Sequence, residues 1–207
     1  MSGWAHHDGL AVGLARENID TDQLIPARFM SAPRNAGYGR FLLHDLRGEP
    51  GFALDDPAAK GASVLVARRN FGGGSSREAA VYALVDAGFR AVIAPSFGDI
   101  FAGNAVNNGL LPARVTTGAA EALLACLPAA LAIDLAAQTI ALGDLTLSFD
   151  IDPIWKTKLL NGWDDIDLTA SYRAEIAGYA KARRGAAPWV WPNETRGDPA
   201  PTTGSDQ

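Results

Sequence analysis

The sequence has 207 residues, of which 48% are hydrophobic and 20% charged, and a formal net charge of −5 at pH 7. These proportions are typical of a globular protein, and the acidic balance gives no reason to expect nucleic acid or an anionic membrane as a partner. No apolar run approaches the roughly 18 to 20 residues that a membrane-spanning helix needs. Residues 1–10 lack the basic and apolar segments of a secretory signal, so we expect a cytoplasmic protein.

Cysteine and histidine, two common metal ligands, are scarce in this chain. Cys126 is the single cysteine, which excludes a disulfide scaffold and an all-cysteine zinc or iron–sulfur site within this chain. His6 and His7 could bind a metal, but we expect a flexible, solvated pair near the amino terminus. His44 lies beside Asp45 in a polar stretch and is interpreted as a surface residue. Any metal chemistry would therefore have to come from a partner.

The first third of the chain is predicted to hold a strand and a long irregular segment. Residues 11–25 alternate weakly in hydropathy and end at Pro26, a pattern typical of a strand leaving the core. Seven glycines and prolines interrupt residues 28–57, and long irregular segments in compact domains are usually functional or mobile.

The middle of the chain alternates between strand-like and helix-like runs, which predicts an α/β layer with parallel strands. The runs are 62–67, 76–87, 90–94, 97–107 and 111–115. A short helix over 118–127 follows, closed by Pro128. Three short apolar runs come next, at 130–135, 139–142 and 145–149. Gly143 and Asp144 separate the last two as in a hairpin, so we expect antiparallel strands here.

The last part of the chain is predicted to be helical and then disordered. Helices are predicted over 155–160 and 169–184, the second with Tyr172, Ile176 and Tyr179 on one face. From residue 185 onward, the content of Pro, Gly, Thr and Asp predicts a disordered tail. Trp189 and Trp191 are the exceptions, because they could dock on the body or on a partner.

Residues 70–78 read Asn-Phe-Gly-Gly-Gly-Ser-Ser-Arg-Glu and connect a predicted strand to an Ala-rich predicted helix. Glycines let backbone amides approach a ligand closely, and the positive end of a helix dipole favours an anion. Arg77 in the first turn opposes that dipole unless an anion is bound there. The segment therefore predicts an anion site that contains a potential base, Ser75.

Three common glycine-rich motifs are excluded. No Gly-Lys-Ser/Thr follows, as a nucleotide P-loop requires. Arg77 stands where a dinucleotide-binding turn needs its third glycine, and also where a nucleophile elbow centred on Ser75 needs glycine.

Purely structural interpretations stay open at this point. Ser75 and Glu78 have the spacing of a capping box, as do Ser96 and Asp99. The run Asn-Ile-Asp-Thr-Asp-Gln-Leu-Ile-Pro over residues 18–26 could likewise only cap a turn. Asn104 and Asn107, on the second predicted helix, could face a site.

Residues 18–26, 61–84, 88–112 and 160–166, in this order, resemble the small subunits of 3-isopropylmalate dehydratase, which correspond to the swivelling domain of aconitase. The similarity covers most of residues 10–184. It implies a β/β/α swivelling domain of the α/β class over 1–184, with 28–57 as an irregular substrate loop region and 185–207 as a tail. It also implies a heterodimer with a large subunit that holds a [4Fe–4S] cluster, so that this chain itself carries no cofactor.

The resemblance implies roles for individual residues. Ser75 would be the base that removes a proton from the carbon next to a carboxylate of a small hydroxy-acid substrate. Arg28, Phe29 and Met30 would help to choose the substrate side chain. The residues implied to bind the substrate are Gly74, Ser76, Arg77, Asp22, Thr21 and Arg28.

The chain also departs from the family pattern, which typically reads Gly-Cys-Gly-Ser-Ser-Arg-Glu-His-Ala-Pro-Trp. Gly73 replaces the cysteine, Ala79 the histidine, the pair Val81-Tyr82 the Pro-Trp pair, and Ala27 a usual lysine. The leading prediction is a hydro-lyase subunit that interconverts 2- and 3-isopropylmalate in leucine synthesis. The alternatives are a related substrate (citraconate, dimethylmaleate or a homoaconitate-like acid) and a non-catalytic anion-binding subunit in which Ser75 only caps a helix.

Overall fold

The computed structural model describes residues 2–191. These residues form one seven-stranded sheet with the strand order β4-β3-β2-β1-β5-β6-β7. The strands are β1 (His6–Leu14), β2 (Val64–Ala67), β3 (Ala91–Ala94), β4 (Leu111–Arg114), β5 (Ala129–Asp134), β6 (Thr139–Leu142) and β7 (Leu145–Ser148). Strands β1 to β4 pair in parallel, whereas β5 to β7 pair antiparallel. The predicted parallel layer and antiparallel end are both confirmed.

Helices connect the parallel strands and follow the last antiparallel one. They are α1 (Thr21–Leu24), α2 (Glu78–Asp86), α3 (Asp99–Asn107), α4 (Thr117–Leu124), α5 (Pro153–Asn161), α6 (Asp165–Ser171) and α7 (Arg173–Ala186). The segment between α1 and β2 consists of short 3-10 turns joined by loops, which confirms its predicted irregularity. Across the described residues, each helix is too short or too polar to cross a membrane.

The central strands are buried on both faces, as expected for parallel strands covered by helices. All four residues of β2 and all four of β3 are inaccessible to solvent. Alternate residues of β2 belong to different clusters: Leu65 packs in the cluster that includes α2, and Val66 in the one that includes α4. This double packing keeps the carboxyl ends of the strands in place, and the candidate site lies at those ends.

The chain divides into two compact units, Met1–Asp167 and Leu168–Gln207. The first contains the sheet and helices α1 to α5. The second contains α7 and a 3-10 turn, Pro188–Val190, and within it the Arg184 guanidinium lies 4.8 Å from the ring centroid of Trp191. Trp189 is exposed. Residues 185–191 of the predicted disordered tail belong to the end of α7 and to this turn, and the rest of the tail, from position 192 onward, lies outside the described residues.

Three predictions of local structure are wrong. The first strand runs from His6 to Leu14 rather than over 11–25, and the last part of the predicted strand is instead the helical turn α1, which Asp20 caps. The histidine pair is therefore not a flexible terminus: both residues lie in β1, and His7 Nε2 is 2.8 Å from Ser63 Oγ. The helix predicted over 169–184 is interrupted at Tyr172, which separates α6 from α7.

Candidate active site

The candidate site is built by the loops that follow three neighbouring parallel strands. Residues 15–20 follow β1, residues 68–77 follow β2 and residues 95–98 follow β3. Since the sheet order places β1, β2 and β3 side by side, their carboxyl ends meet at one edge of the sheet. In open α/β sheets, this edge is where ligands usually bind.

Backbone hydrogen bonds join the three loops at the glycine turn, defined here as residues 70–77. On one side, Gly72 N donates to Ile19 O (2.6 Å) and Thr21 N donates to Gly73 O (3.0 Å). On the other, Phe71 N donates to Ser96 O (3.0 Å). The turn is therefore held between the loops after β1 and β3.

Two glycines in the turn adopt backbone conformations that other residues rarely reach. Gly72 has φ 73° and Gly74 has φ 91°. Gly72 also lies against a buried aromatic ring, because a methyl group added there would be 2.6 Å from both Cδ atoms of Phe101. The glycine requirement at position 72 is thus both conformational and steric.

Ser75 is exposed at the end of the turn, and Thr21 lies directly beneath it. The Thr21 side chain is almost fully buried, at 1% exposure. Its hydroxyl oxygen, Oγ1, is 3.2 Å from Ser75 Oγ and 3.1 Å from Ser75 O, to which it donates. Ser76, the next residue, is exposed. The candidate base thus faces solvent on one side and a buried hydroxyl on the other.

Arg77 and Asp22 form an ion pair beside Ser75. Arg77 Nη1 donates to Asp22 Oδ1, and 23% of the arginine side chain is exposed. A guanidinium carries five N–H donors in a planar fork, so this contact at Nη1 leaves others for a carboxylate ligand. The predicted site residues Asp22, Thr21, Ser75 and Arg77 are therefore brought together, although more than 50 positions separate the two pairs in sequence.

Neither of the predicted capping boxes in this region forms. Helix α2 begins at Glu78 with Arg77 as its N-cap residue, and no side chain caps it. Ser75 lies two residues before the cap, so a capping role for it is wrong. Ser96 Oγ instead accepts a hydrogen bond from Asn70 N (2.8 Å), and Gly98 is the N-cap of α3.

A capping box does form in the loop after β1. Asp20 Oδ1 accepts from Gln23 N (2.7 Å), and Gln23 Oε1 accepts from Asp20 N (3.0 Å). The spacing Asp-x-x-Gln is the signal that could have located it in the sequence. This box confirms that the segment caps a turn, and the same turn presents Thr21 and Asp22 to the site.

Glu78 anchors the start of α2 and is a site neighbour that the sequence reading missed. Its Oε1 accepts a hydrogen bond from Asn108 Nδ2 (2.9 Å), at the end of α3. Burial, and then the neighbouring Glu78 carboxylate, raises the pKa of Tyr82. Glu78 therefore links α2 to α3.

Arg28 is held in a separate cluster of the irregular segment. Its guanidinium pairs with Asp45 and lies 4.6 Å from the Phe29 ring centroid. Phe29 stacks on Phe41 with a centroid distance of 4.3 Å, and Met30 is 41% exposed. The bond from Arg28 lowers the pKa of Asp45 to about 2. His44, next to Asp45, is exposed, as predicted for a surface residue.

Asn107 takes part in a hydrogen-bond network around the buried Lys158. Lys158 is 3% exposed, and its Nζ donates to Asn107 Oδ1 and to Asp165 Oδ1, the latter at 2.5 Å. Asn107 Nδ2 also donates to Asp165 Oδ2 (3.0 Å). The bonds from Lys158 and then Asn107 lower the pKa of Asp165. Asn107 therefore joins α3, α5 and α6.

Comparisons with known proteins identify relatives that match most of the chain. A family profile, the aconitase C-terminal domain, matches residues 1–118. A 3-isopropylmalate dehydratase small subunit from Geobacillus sp. (strain WCH70) is 47% identical over 191 residues, which cover 87% of this chain and 97% of that protein. The small subunit from Shouchella clausii (strain KSM-K16) is 45% identical over 182 residues, covering 84% of this chain and 92% of that protein.

A solved structure shares the fold. The crystal structure of 3-isopropylmalate dehydratase from Methanocaldococcus jannaschii matches with a TM-score of 0.65 at 24% identity, covering 84% of this chain and 99% of that one. At this level of identity, the likeness supports the fold alone. Together with the family profile, it confirms the predicted α/β class and the swivelling domain of aconitase.

Proposed function

This chain belongs to the family of 3-isopropylmalate dehydratase small subunits, and from that premise we propose that it is the small subunit of a hydro-lyase. The enzyme would interconvert 2-isopropylmalate and 3-isopropylmalate by dehydration and rehydration, a reaction of leucine biosynthesis in the cytoplasm. The observation that carries the proposal is the convergence of Ser75 and Arg77 on the loop that supplies Thr21 and Asp22.

We assign Ser75 as the general base. Dehydration requires removal of a proton from the carbon next to a carboxylate, and a serine can accept that proton only as an alkoxide. Fixed donors that point at a developing oxyanion are among the strongest means of stabilising it. Ser75 lies at the exposed end of a turn held by backbone hydrogen bonds, before a helix that no side chain caps. The positive end of the α2 dipole therefore favours the alkoxide.

We assign Arg77 as the clamp for a substrate carboxylate. Its guanidinium fork suits bidentate binding of a carboxylate. Asp22 orients it through Nη1, and the bond between Asn108 and Glu78 holds the first turn of α2. Ser76 and the backbone of Gly74 lie beside Ser75 and Arg77 in the chain, where they would complete the substrate contacts.

The metal in this proposal belongs to the partner. Among residues 2–191, no group of three or more His, Cys, Asp or Glu side chains is placed to hold a metal ion. The groups gathered at the Ser75 hydroxyl are a carboxylate, a second hydroxyl and a guanidinium, which suit the binding of a substrate and the transfer of a proton rather than the binding of iron. A [4Fe–4S] cluster in the large subunit would supply the Lewis acid that takes the leaving hydroxyl. The large subunit would therefore cover the exposed glycine turn.

Arg28, Phe29 and Met30 would help to select the side chain of the substrate. Their cluster is rigidified by the Arg28–Asp45 pair and the stacking of Phe29 on Phe41. Because Gly73 and Ala79 depart from the family pattern close to Ser75, citraconate, dimethylmaleate and a homoaconitate-like acid are included as test substrates.

The test is a reconstitution assay under anaerobic conditions. The chain is co-expressed with candidate large subunits, and hydration of isopropylmaleate and of the alternative acids is measured. We expect the highest kcat/KM with isopropylmaleate, and Ser75→Ala should abolish turnover while the melting temperature stays unchanged, because Ser75 caps no helix. Thr157→Ala, which removes an exposed hydroxyl on α5, is the matched control. Wild-type rates in Ser75→Ala would refute the base assignment, and inactivity with every large subunit would favour the anion-binding alternative.

A further inference from the structure

We propose that Thr21 is a positioning residue that holds Ser75 and transfers its own hydrogen bond to the Ser75 alkoxide. This inference rests on the proposed function, because it concerns the base of that reaction. It also changes the role of Thr21 from a substrate contact to a support for the base.

Burial and backbone bonds make Thr21 a rigid support rather than a substrate ligand. Its side chain is 1% exposed, so a substrate in the open site would meet Ser75 first. Thr21 N donates to Gly73 O (3.0 Å), and the Asp20–Gln23 capping box fixes the turn in which Thr21 lies. The hydroxyl is thus held at a constant place relative to the glycine turn. Precise placement of this kind lets a hydrogen bond discriminate between two states of its partner.

The Thr21 hydroxyl has one hydrogen and two acceptors on the same residue. Ser75 O lies at 3.1 Å and Ser75 Oγ at 3.2 Å. When Ser75 is protonated, Thr21 donates to the carbonyl oxygen, and the Ser75 hydroxyl can itself donate to Thr21 Oγ1. When Ser75 has lost its proton, Oγ carries the full negative charge and becomes the stronger acceptor. Rotation about the Thr21 Cβ–Oγ1 bond then moves the hydrogen bond to the alkoxide, with no covalent bond broken.

This transfer favours the base form of Ser75, because a hydrogen bond to the charged form of a group stabilises that form. The proton balance remains simple. The Ser75 alkoxide takes a proton from the substrate carbon, and the electron pair of that C–H bond forms the double bond as the hydroxyl leaves. Thr21 keeps its own proton throughout. Its hydrogen bond can return to Ser75 O once Ser75 is protonated.

The test compares Thr21→Val and Thr21→Ser in the reconstituted enzyme. Valine matches the shape of threonine without its hydroxyl, whereas serine keeps the hydroxyl. We expect Thr21→Val to lower kcat by about a hundred- to a thousand-fold, with KM changed less than about three-fold, in line with the loss of one oxyanion donor. The limb of the kcat profile on which the rate rises with pH should move to higher pH. Thr21→Ser should restore both the rate and the profile.

Controls distinguish the role of Thr21 from the proposed hydro-lyase function on which it rests. Thr157→Val removes a hydroxyl that donates to Pro153 O (2.9 Å) within α5, and it should leave the pH profile unchanged. A Thr21→Val enzyme with the wild-type rate and pH profile would overturn the role of Thr21, even if Ser75→Ala is inactive. Equal losses in Thr21→Ser and Thr21→Val would also overturn it. Should Thr21→Val fail to fold, the Thr21→Ala and Thr21→Ser pair gives the same comparison. Full activity in Ser75→Ala would instead refute the proposed function itself.

Discussion

Replacing Gly72 by alanine is expected to destabilise the protein through two separable effects. The backbone at Gly72 has φ 73°, and an L-residue in the left-handed region costs about 1–2 kcal/mol. The added methyl group would also lie 2.6 Å from both Cδ atoms of the buried Phe101 ring. Overpacking in a close-packed core costs about 1–3 kcal/mol. The sum is a loss of about 2–5 kcal/mol in the free energy of unfolding, if the two effects add.

Gly51 offers a matched control for the backbone effect. Its φ is 75°, close to that of Gly72, and a methyl group added there meets nothing within 4 Å. Gly51→Ala should therefore lose only the backbone share, about 1–2 kcal/mol. The difference between the two variants isolates the contact with Phe101.

Urea unfolding followed by circular dichroism measures this difference. With an m value of about 2 kcal/mol per molar urea, the Gly72→Ala midpoint should fall below that of Gly51→Ala by about 0.5–1.5 M. If Gly72→Ala proves no less stable than Gly51→Ala, the steric argument for glycine at position 72 is refuted. An unchanged free energy of unfolding in both variants would refute the backbone argument as well.

Three further predictions concern charged side chains. Arg28 lowers the pKa of Asp45 from 3.8 to about 2 in the folded protein, so the stability gained from their bond is full above pH 3.8 and is lost as pH falls through about 2. The melting temperatures of the wild type and of Asp45→Asn should therefore converge over that pH range. A constant difference between the two melting temperatures would contradict this prediction. Asp165→Asn removes the anionic partner of buried Lys158 and should lower the free energy of unfolding by about 1–3 kcal/mol in urea titrations. An unchanged urea midpoint would show that the Lys158–Asp165 pair contributes nothing to stability. Arg77→Lys should raise KM for the carboxylate substrate about ten- to a hundred-fold in the reconstitution assay, since a charged hydrogen bond contributes about 1.5–3 kcal/mol. An unaltered KM would exclude Arg77 as the residue that binds the substrate carboxylate.

Local patterns in the sequence were sufficient for much of the fold. The strand β2, the glycine turn and helix α2 were predicted in order, because apolar runs, glycines and alanines act through neighbours in the chain. The hairpin of β6 and β7 was predicted from Gly143-Asp144 for the same reason. The failures were also local. Asp20 falls within the predicted strand because weak alternation in hydropathy does not distinguish a strand from the turn that Asp20 and Gln23 cap, and Tyr172 carries no local signal of a helix interruption.

The sequence by itself determined which residues could perform chemistry: a serine and an arginine beside glycines and two acids far upstream, in a chain with a single cysteine. The tertiary structure alone decided the contacts that they make. Thr21 and Ser75 are 54 positions apart, and Arg77 and Asp22 are 55 apart, yet their side chains are in contact. Strand order places those loops at one edge of the sheet, and burial separates Thr21 from solvent while leaving Ser75 exposed. These facts depend on packing between distant segments, which the spacing of residues along the chain does not encode.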